Sequence, residues 1–425
     1  MKESILHYIW KFQQFDRGSL NTVQGEPIEV YFNGNHNHNA GPDFNDARIK
    51  IGSMVWHGSV EIHVHAHEWK MHDHHSDPLY NNVVLHVVWN NNRSVTREDG
   101  QMMPTLELKT RVSYDLLARC HQLIDSQHAI PCTSHIPAIN SMVWSSMIQS
   151  SGIERLEKKS MSVDLVLAEN NNDWEETCYH LLVTNFGFKV NCDAFVKLAR
   201  VLSSKIIARH RGNLFQIEAL LFGMAGFLDE CLDNGYHKNL RREFEFLSKK
   251  YSLGDKKLYL VEWKKLRLRP ANFPELRIAQ LAAVLNEHQH LFDLMVRQVR
   301  PSNLKKQLRI PVSEYWTTHH SFQEKPTDKK VGQIGTSSVH NLIINTAVPL
   351  LMTYSRHIQD EMYCDTAIKL LESIPPENNK VLRSWSTLNI KPVNAFDSQA
   401  LIQLHNEYCL NKRCLSCKIG VSLIH

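Results

Sequence analysis

The chain has 425 residues and a formal net charge of +4, with 43% hydrophobic and 22% charged residues. This balance excludes disordered, collagenous and low-complexity chains, and so small a net charge does not argue for a nucleic-acid or acidic-membrane partner, so any basic patch must be local. No run reaches the ~18 consecutive apolar residues of a membrane span. Nine mostly scattered cysteines fit reduced thiols or a metal site in a cytoplasmic protein better than a secreted disulfide framework.

In chain order, Ile5-Leu6-His7-Tyr8-Ile9-Trp10 has helical spacing and runs on into polar residues, so we read it as a structured helix and not a leader. Pro27–Phe32, Ala47–Ile51 and Val60–His65 read as strands, with Gly52-Ser53 and Gly58 as the separating turn signals. Val83–Trp89 is an almost continuous apolar run, as expected of a strand covered on both faces, and Leu106–Lys109 adds a short one. From about Trp144 the period turns helical: Asp173–Phe186, Asp193–Arg209, Leu214–Leu228, Leu240–Lys250 and Pro274–Leu285 carry apolar residues at three- and four-residue spacing. Residues 311–340 look like a long loop, followed by a last helical section and a cysteine-bearing tail. The expected fold is α+β, with an N-terminal mixed sheet over 1–143, a helical region with a basic face over 144–310, and a loop and helical region over 311–425.

Chemistry is concentrated near the N-terminus, where eight of the 25 histidines fall between His57 and His86. Strand alternation puts Glu61, His63, His65 and His67 on one face, and Asp43 lies in Gly41-Pro42-Asp43-Phe44. Two carboxylates beside imidazoles suit a divalent cation, Mg²⁺ or Mn²⁺, with a further group to orient or deprotonate water. Asp43 and Glu61 take the metal role, with His65 as a further ligand, and His63 takes the water. His36 and His38 flank Asp43. We expect His72, His74 and His75 in a solvated loop, and His86 as either a hydrogen-bonded core histidine or a ligand.

The pair Pro42-Asp43 and Glu61-Ile62-His63 resembles the PD-(D/E)xK nuclease superfamily, which implies a restriction-endonuclease-like core and phosphodiester hydrolysis, with His63 where that superfamily has a lysine. Over nearly the whole chain, Glu26–Glu29, His36–Phe44, Gly58–His63, Trp69 and Tyr80–Val88 resemble a bacterial domain-of-unknown-function family, family 2851, which implies a cytoplasmic location and no particular activity. Two other motifs fail on spacing. His67 and His72 are five residues apart where a helical zinc protease needs four, and Pro131-Cys132 lacks the second cysteine of a zinc deaminase.

Between Arg241 and Pro311 there are 16 Lys and Arg against 7 Asp and Glu. Lys264, Lys265, Arg267, Arg269 and Arg277, interleaved with Trp263 and Phe273, form a candidate surface for DNA or RNA. Cys409, Cys414 and Cys417 can converge on zinc or an iron–sulfur cluster, with His405 or Cys364 as a fourth donor. The expected function is a metal-dependent nuclease. The alternatives are a non-catalytic nucleic-acid or protein-binding module with a degenerate nuclease fold, and a cupin-like small-molecule hydrolase. The oligomeric state is not legible.

Overall fold

The computed structural model describes residues 1–425 except His38, Gln298, Arg300 and Lys329, and the side chains of Pro301 and Ser302. His38, a sequence candidate beside Asp43, therefore lies outside the described residues. The chain forms two compact units, residues 1–149 with 404–425, and residues 150–403.

In the first unit, α1 (Glu3–Lys11) buries Ile5, Leu6, Ile9 and Trp10. Glu3 in its first turn and Lys11 in its last complement the helix dipole. The sheet contains β1 (Ile28–Phe32), β2 (Asn35–His36), β3 (Phe44–Ile51), β4 (Met54–His65), β5 (Val83–Asn90) and β6 (Thr105–Glu107). Its order is β1-β3-β4-β5-β6, with β2 also paired to β3. The pairs that involve β3 are antiparallel, whereas β4 with β5 and β5 with β6 are parallel. This mixed topology is not the antiparallel barrel that a cupin-like enzyme requires.

β3 and β4 meet at a turn in which Gly52 has φ +61°. Gly58, expected to end a strand, instead lies inside β4. Its role is close approach: a Cβ there would stand 2.3 Å from the Asn82 carbonyl oxygen and 2.5 Å from Val84 Cγ1. β5 is buried from Val83 to Val88, as its apolar run predicts. Val84, Leu85 and Val87 join the core that contains α1, while Val83 packs with Trp69, Val95 and Met103. The connection from β4 to β5 carries a short helix, α2 (Glu68–Met71), and α3 (Tyr114–Ile124) follows the sheet.

The second unit is mostly helical around one large core. The helix expected over 193–209 is two, Cys192–Val201 and Ser204–Ala208. Between them Leu202 is extended, and the Ser203 hydroxyl accepts the Lys205 N–H at 3.2 Å and so starts the second helix afresh. The expected helix 214–228 stops at Met224, before Gly226 at φ +80°. Among the described residues no helix is long and apolar enough to cross a membrane.

Candidate metal centre

Asp43 precedes β3 and Glu61 lies on β4, and the hairpin clamps them together through the backbone. Asp43 N–H donates to Glu61 Oε2 at 3.1 Å, and Ile62 N–H donates to Asp43 Oδ2 at 3.0 Å. Strand alternation then brings His63 to the same face as Glu61, with Nε2 3.6 Å from Glu61 Oε1.

Two donor groups surround this pair. The first is Glu3, His7 and Asp43, one ligand atom of each lying within 4.8 Å of the other two. Glu3 and His7 are one turn apart on α1, which packs against β4. His7 Nε2 lies 3.2 Å from Asp43 Oδ2 but out of line for a hydrogen bond, and it is a buried nitrogen without a hydrogen-bond partner. The second group is His63, His72 and His74, which meet the same distance criterion. His74 Nε2 is also 3.2 Å from Glu61 Oε1.

Of the three histidines expected in a solvated loop, His72 is exposed, but both it and His74 turn back to His63. Aromatic anchors account for this. His74 stacks on Tyr80 with ring centroids 3.8 Å apart and meets the edge of the buried Trp69. His86 is fully buried, and its Nε2 faces His63 Nδ1 at 2.9 Å, which fixes the His63 ring with Nε2 toward Glu61 and His72. His65 is not part of either donor group. Its ring stacks on His67 at 5.6 Å, beyond the point where β4 leaves the site. His36 stacks on Phe44 and meets His7 edge to face.

Burial, and then the charge of Asp43, drives the Glu61 carboxyl up to about 9. Burial, with His86 and His74 next, pushes His63 down to about 2, and burial pushes His86 down to about 3. Glu61 and His63 are therefore both uncharged at neutral pH, and their 3.6 Å approach is not an ion pair. For His7, burial opposes the charged form, but Asp43, Glu3 and Glu61 outweigh it and raise the pKa.

Beside His7 and His36 opens a cleft of about 540 Å³. Its walls carry Lys2 and Lys11 from the start of the chain and Lys412 and Arg413 from the tail. Sequence reasoning missed these residues, as it missed Glu3, His7, His72 and His74. The sequence does carry their signal, in the i, i+4 Glu3/His7 pair and in the aromatic residues that bracket 69–80.

In the second unit Lys264, Arg267 and Arg269 are exposed, but the Lys265 ammonium is paired with Glu275. Trp263 is buried, with Nε1 donating to Ala225 O at 2.8 Å, so it is a core residue and not a platform for bases. Arg277 is also buried and apart from the exposed cations. Its guanidinium donates to Gln280 and Ser338 at 2.8 and 3.0 Å and lies 4.3 Å from the Phe188 ring centroid. Burial lowers its pKa to about 10.

Residues 3–380 match the family described as "Protein of unknown function (DUF2851)". The chain belongs to this family. No curated protein and no solved structure matches the chain.

Proposed function

We propose that this DUF2851 protein is a metal-dependent nuclease that hydrolyses nucleic-acid phosphodiesters at Asp43 and Glu61. The observation that carries the reading is the reciprocal backbone clamp that holds these carboxylates side by side, with Glu3, His7 and His63 around them. The element order supports it. A helix, an antiparallel hairpin with Asp43 just before its first strand and Glu61 on its second, and a crossover to a parallel strand follow the order that a restriction-endonuclease-like core would require.

The donors fit a divalent cation, because His7 Nε2 is buried without a hydrogen-bond partner and carboxylate oxygens converge beside it. A set of mixed oxygen and imidazole donors favours Mn²⁺ over Mg²⁺. When bound, such an ion polarises the phosphoryl oxygen and acidifies water. Asp43 supplies the negative charge together with Glu3 and His7 from α1, and Glu61, uncharged without an ion, would give up its proton to join them. His63 is too weak a base to take a proton at neutral pH, so its part is to orient water through Nε2, with its ring held by His86. Lys11 and Arg413, in the cleft next to His7, hold the phosphate backbone. Lys264, Arg267 and Arg269 offer a further phosphate-binding surface on the second unit.

Incubation with labelled single- and double-stranded DNA and RNA in Mn²⁺ or Mg²⁺ tests this. Cleavage by the wild type, its loss in Asp43→Asn and Glu61→Gln, and retained substrate binding by both variants are expected. Salt-dependent binding without cleavage in any metal would sink the catalytic reading and leave a non-catalytic nucleic-acid-binding module.

A further inference from the structure

The tail cysteines do not gather into a donor group: among the described residues no three cysteine sulfurs lie within 4.8 Å of one another. Cys414 Sγ faces Leu123 O and Cys417 Sγ faces Met147 Sδ, each at 3.9 Å. Of the expected fourth donors, His405 Nδ1 faces Asn406 Oδ1 at 3.0 Å and Cys364 belongs to the second unit. The group that does call for a ligand is an arginine in the second unit.

Arg277 lies in the helix Pro274–Glu287 and is only 5% exposed. Its hydrogen-bond partners are all neutral: Nη1 donates to Gln280 Oε1, and Nη2 donates to Asn272 Oδ1 and Ser338 Oγ. Nε is buried without a partner. Burial lowers the pKa of the group, and no acid opposes that shift. A staple between these segments needs only neutral donors, whereas a buried guanidinium with no counter-charge is destabilising.

What stands beside the cation is a cavity of about 350 Å³, within the roughly 300–1,000 Å³ of small-molecule sites. Three segments wall it: the turn 186–191, the loop 268–274 and the helix Thr336–Leu342. Arg277 touches one residue of each, Phe188, Asn272 and Ser338. Phe188 has φ +48°, a strained conformation of the kind that recurs at ligand clamps, and its ring centroid is 4.3 Å from the guanidinium. The buried Asn191 fixes the same turn by exchanging hydrogen bonds of 2.9 and 2.8 Å with the backbone of Lys264. Exposed Lys189 and Ser337 bring a second cation and a further hydroxyl to the lining.

We propose that this cavity binds a small organic phosphate, with its phosphoryl group at Arg277 and Lys189 and its organic part among Phe186, Phe195 and Leu268. A phosphate monoester carries nearly two negative charges and three strong acceptor oxygens. Two cations and two serine hydroxyls match it, since Ser338 Oγ accepts from Arg277 and its hydroxyl hydrogen remains for a ligand oxygen. A carboxylate, with one charge and two oxygens, would leave part of this set unused. Every residue named lies in the second unit, so the site is independent of the phosphodiester chemistry proposed at Asp43 and survives the failure of that reading.

Calorimetric titration of the full-length protein in metal-free buffer tests this with phenyl phosphate, inorganic phosphate and benzoate. Phenyl phosphate should bind at about one equivalent, roughly tenfold tighter than inorganic phosphate because its ring is buried, while benzoate should not saturate. Hydrogen exchange of the phenyl phosphate complex should show protection in residues 186–191 and 337–341. Lys189→Ala, at an exposed position, should weaken phenyl phosphate by up to about fivefold, and Arg277→Met by about a hundredfold. The proposal is overturned if phenyl phosphate does not bind, if benzoate binds as tightly, or if Arg277→Met keeps full affinity. Protection confined to residues 2–11 and 411–416, around the N-terminal cleft, overturns it as well. Because Arg277 also ties three segments together, the wild-type titration and exchange pattern decide the question if that variant fails to fold.

Discussion

At the scale of single residues, the molecule keeps several ionisable groups in surroundings that deny them charge. Glu218, in the second unit, is the clearest one outside the candidate metal centre. It is fully buried, Tyr236 and Ser313 hydroxyls donate to its carboxyl, and burial still pushes it up to about 7. Its folded pKa is above the value of about 4.5 in the unfolded chain, so its contribution is complete below pH 4.5 and is lost as pH rises through 7. The loss is on the order of 3 kcal/mol between pH 4.5 and 8. Urea unfolding at pH 5 and pH 8 should show the wild type weaker at the higher pH, and Glu218→Gln should flatten that difference. An unchanged slope in the variant would assign the pH dependence to other groups. At the candidate site, Asp43 and Glu61 were legible as a pair from Pro42-Asp43 and Glu61-Ile62-His63, and the β3–β4 hairpin, with its register shift between Phe44 and Ala47, brings them together. His72 and His74 were not legible, because a polar, histidine-rich loop looks solvated until Trp69 and Tyr80 are seen to anchor it.

At the scale of elements, periodicity identified β1, β5, β6 and the buried parts of β3 and β4, where a buried face imposes alternation or a continuous apolar run, and it missed the two-residue β2, which has no buried residue. It failed at breaks, where one residue's geometry outweighs the pattern around it. Gly58 reads as a turn in sequence, yet it is the point at which β4 lets the Asn82 carbonyl come close enough to accept the Ser59 N–H at 2.9 Å. Gly58→Ala should push β5 away from β4 and destabilise the protein by ~1–3 kcal/mol. Thermal melting measures the loss, and hydrogen exchange should place it in Val83–Val88 and in the backbone around Glu61. Uniform protection across the sheet in the variant would mean that the added methyl is accommodated elsewhere. The same logic explains the split of the expected helix 193–209, where Ser203 caps a new helix inside an unbroken apolar pattern.

At the scale of the whole molecule, a net charge of +4 conceals two local concentrations of cations, one around the N-terminal cleft and one at Lys264, Arg267 and Arg269. The cleft, which adjoins His7, should contribute more to substrate affinity. Replacing Lys11 and Arg413 by alanine is expected to weaken nucleic-acid binding and to lower the slope of log K against log salt by about 1.5–2. Replacing Lys264, Arg267 and Arg269 should change affinity less, and the reverse ranking in fluorescence anisotropy titrations would move the binding surface to the second unit. The first unit is also discontinuous in sequence. Leu415 and Ile424 share a core with Ile5 and Leu6, and the His425 ring meets Tyr8 and Phe12. A ribosome therefore delivers α1 and the whole sheet long before the residues that cover them, and makes the entire second unit in the interval. Until then that core face is without its cover from Leu415 and Ile424, and transiently exposed apolar surface of this kind favours aggregation. A chain cut before residue 404 would hold the whole second unit, yet the cleft beside His7 would lack Lys412, Arg413 and Leu415 from its wall.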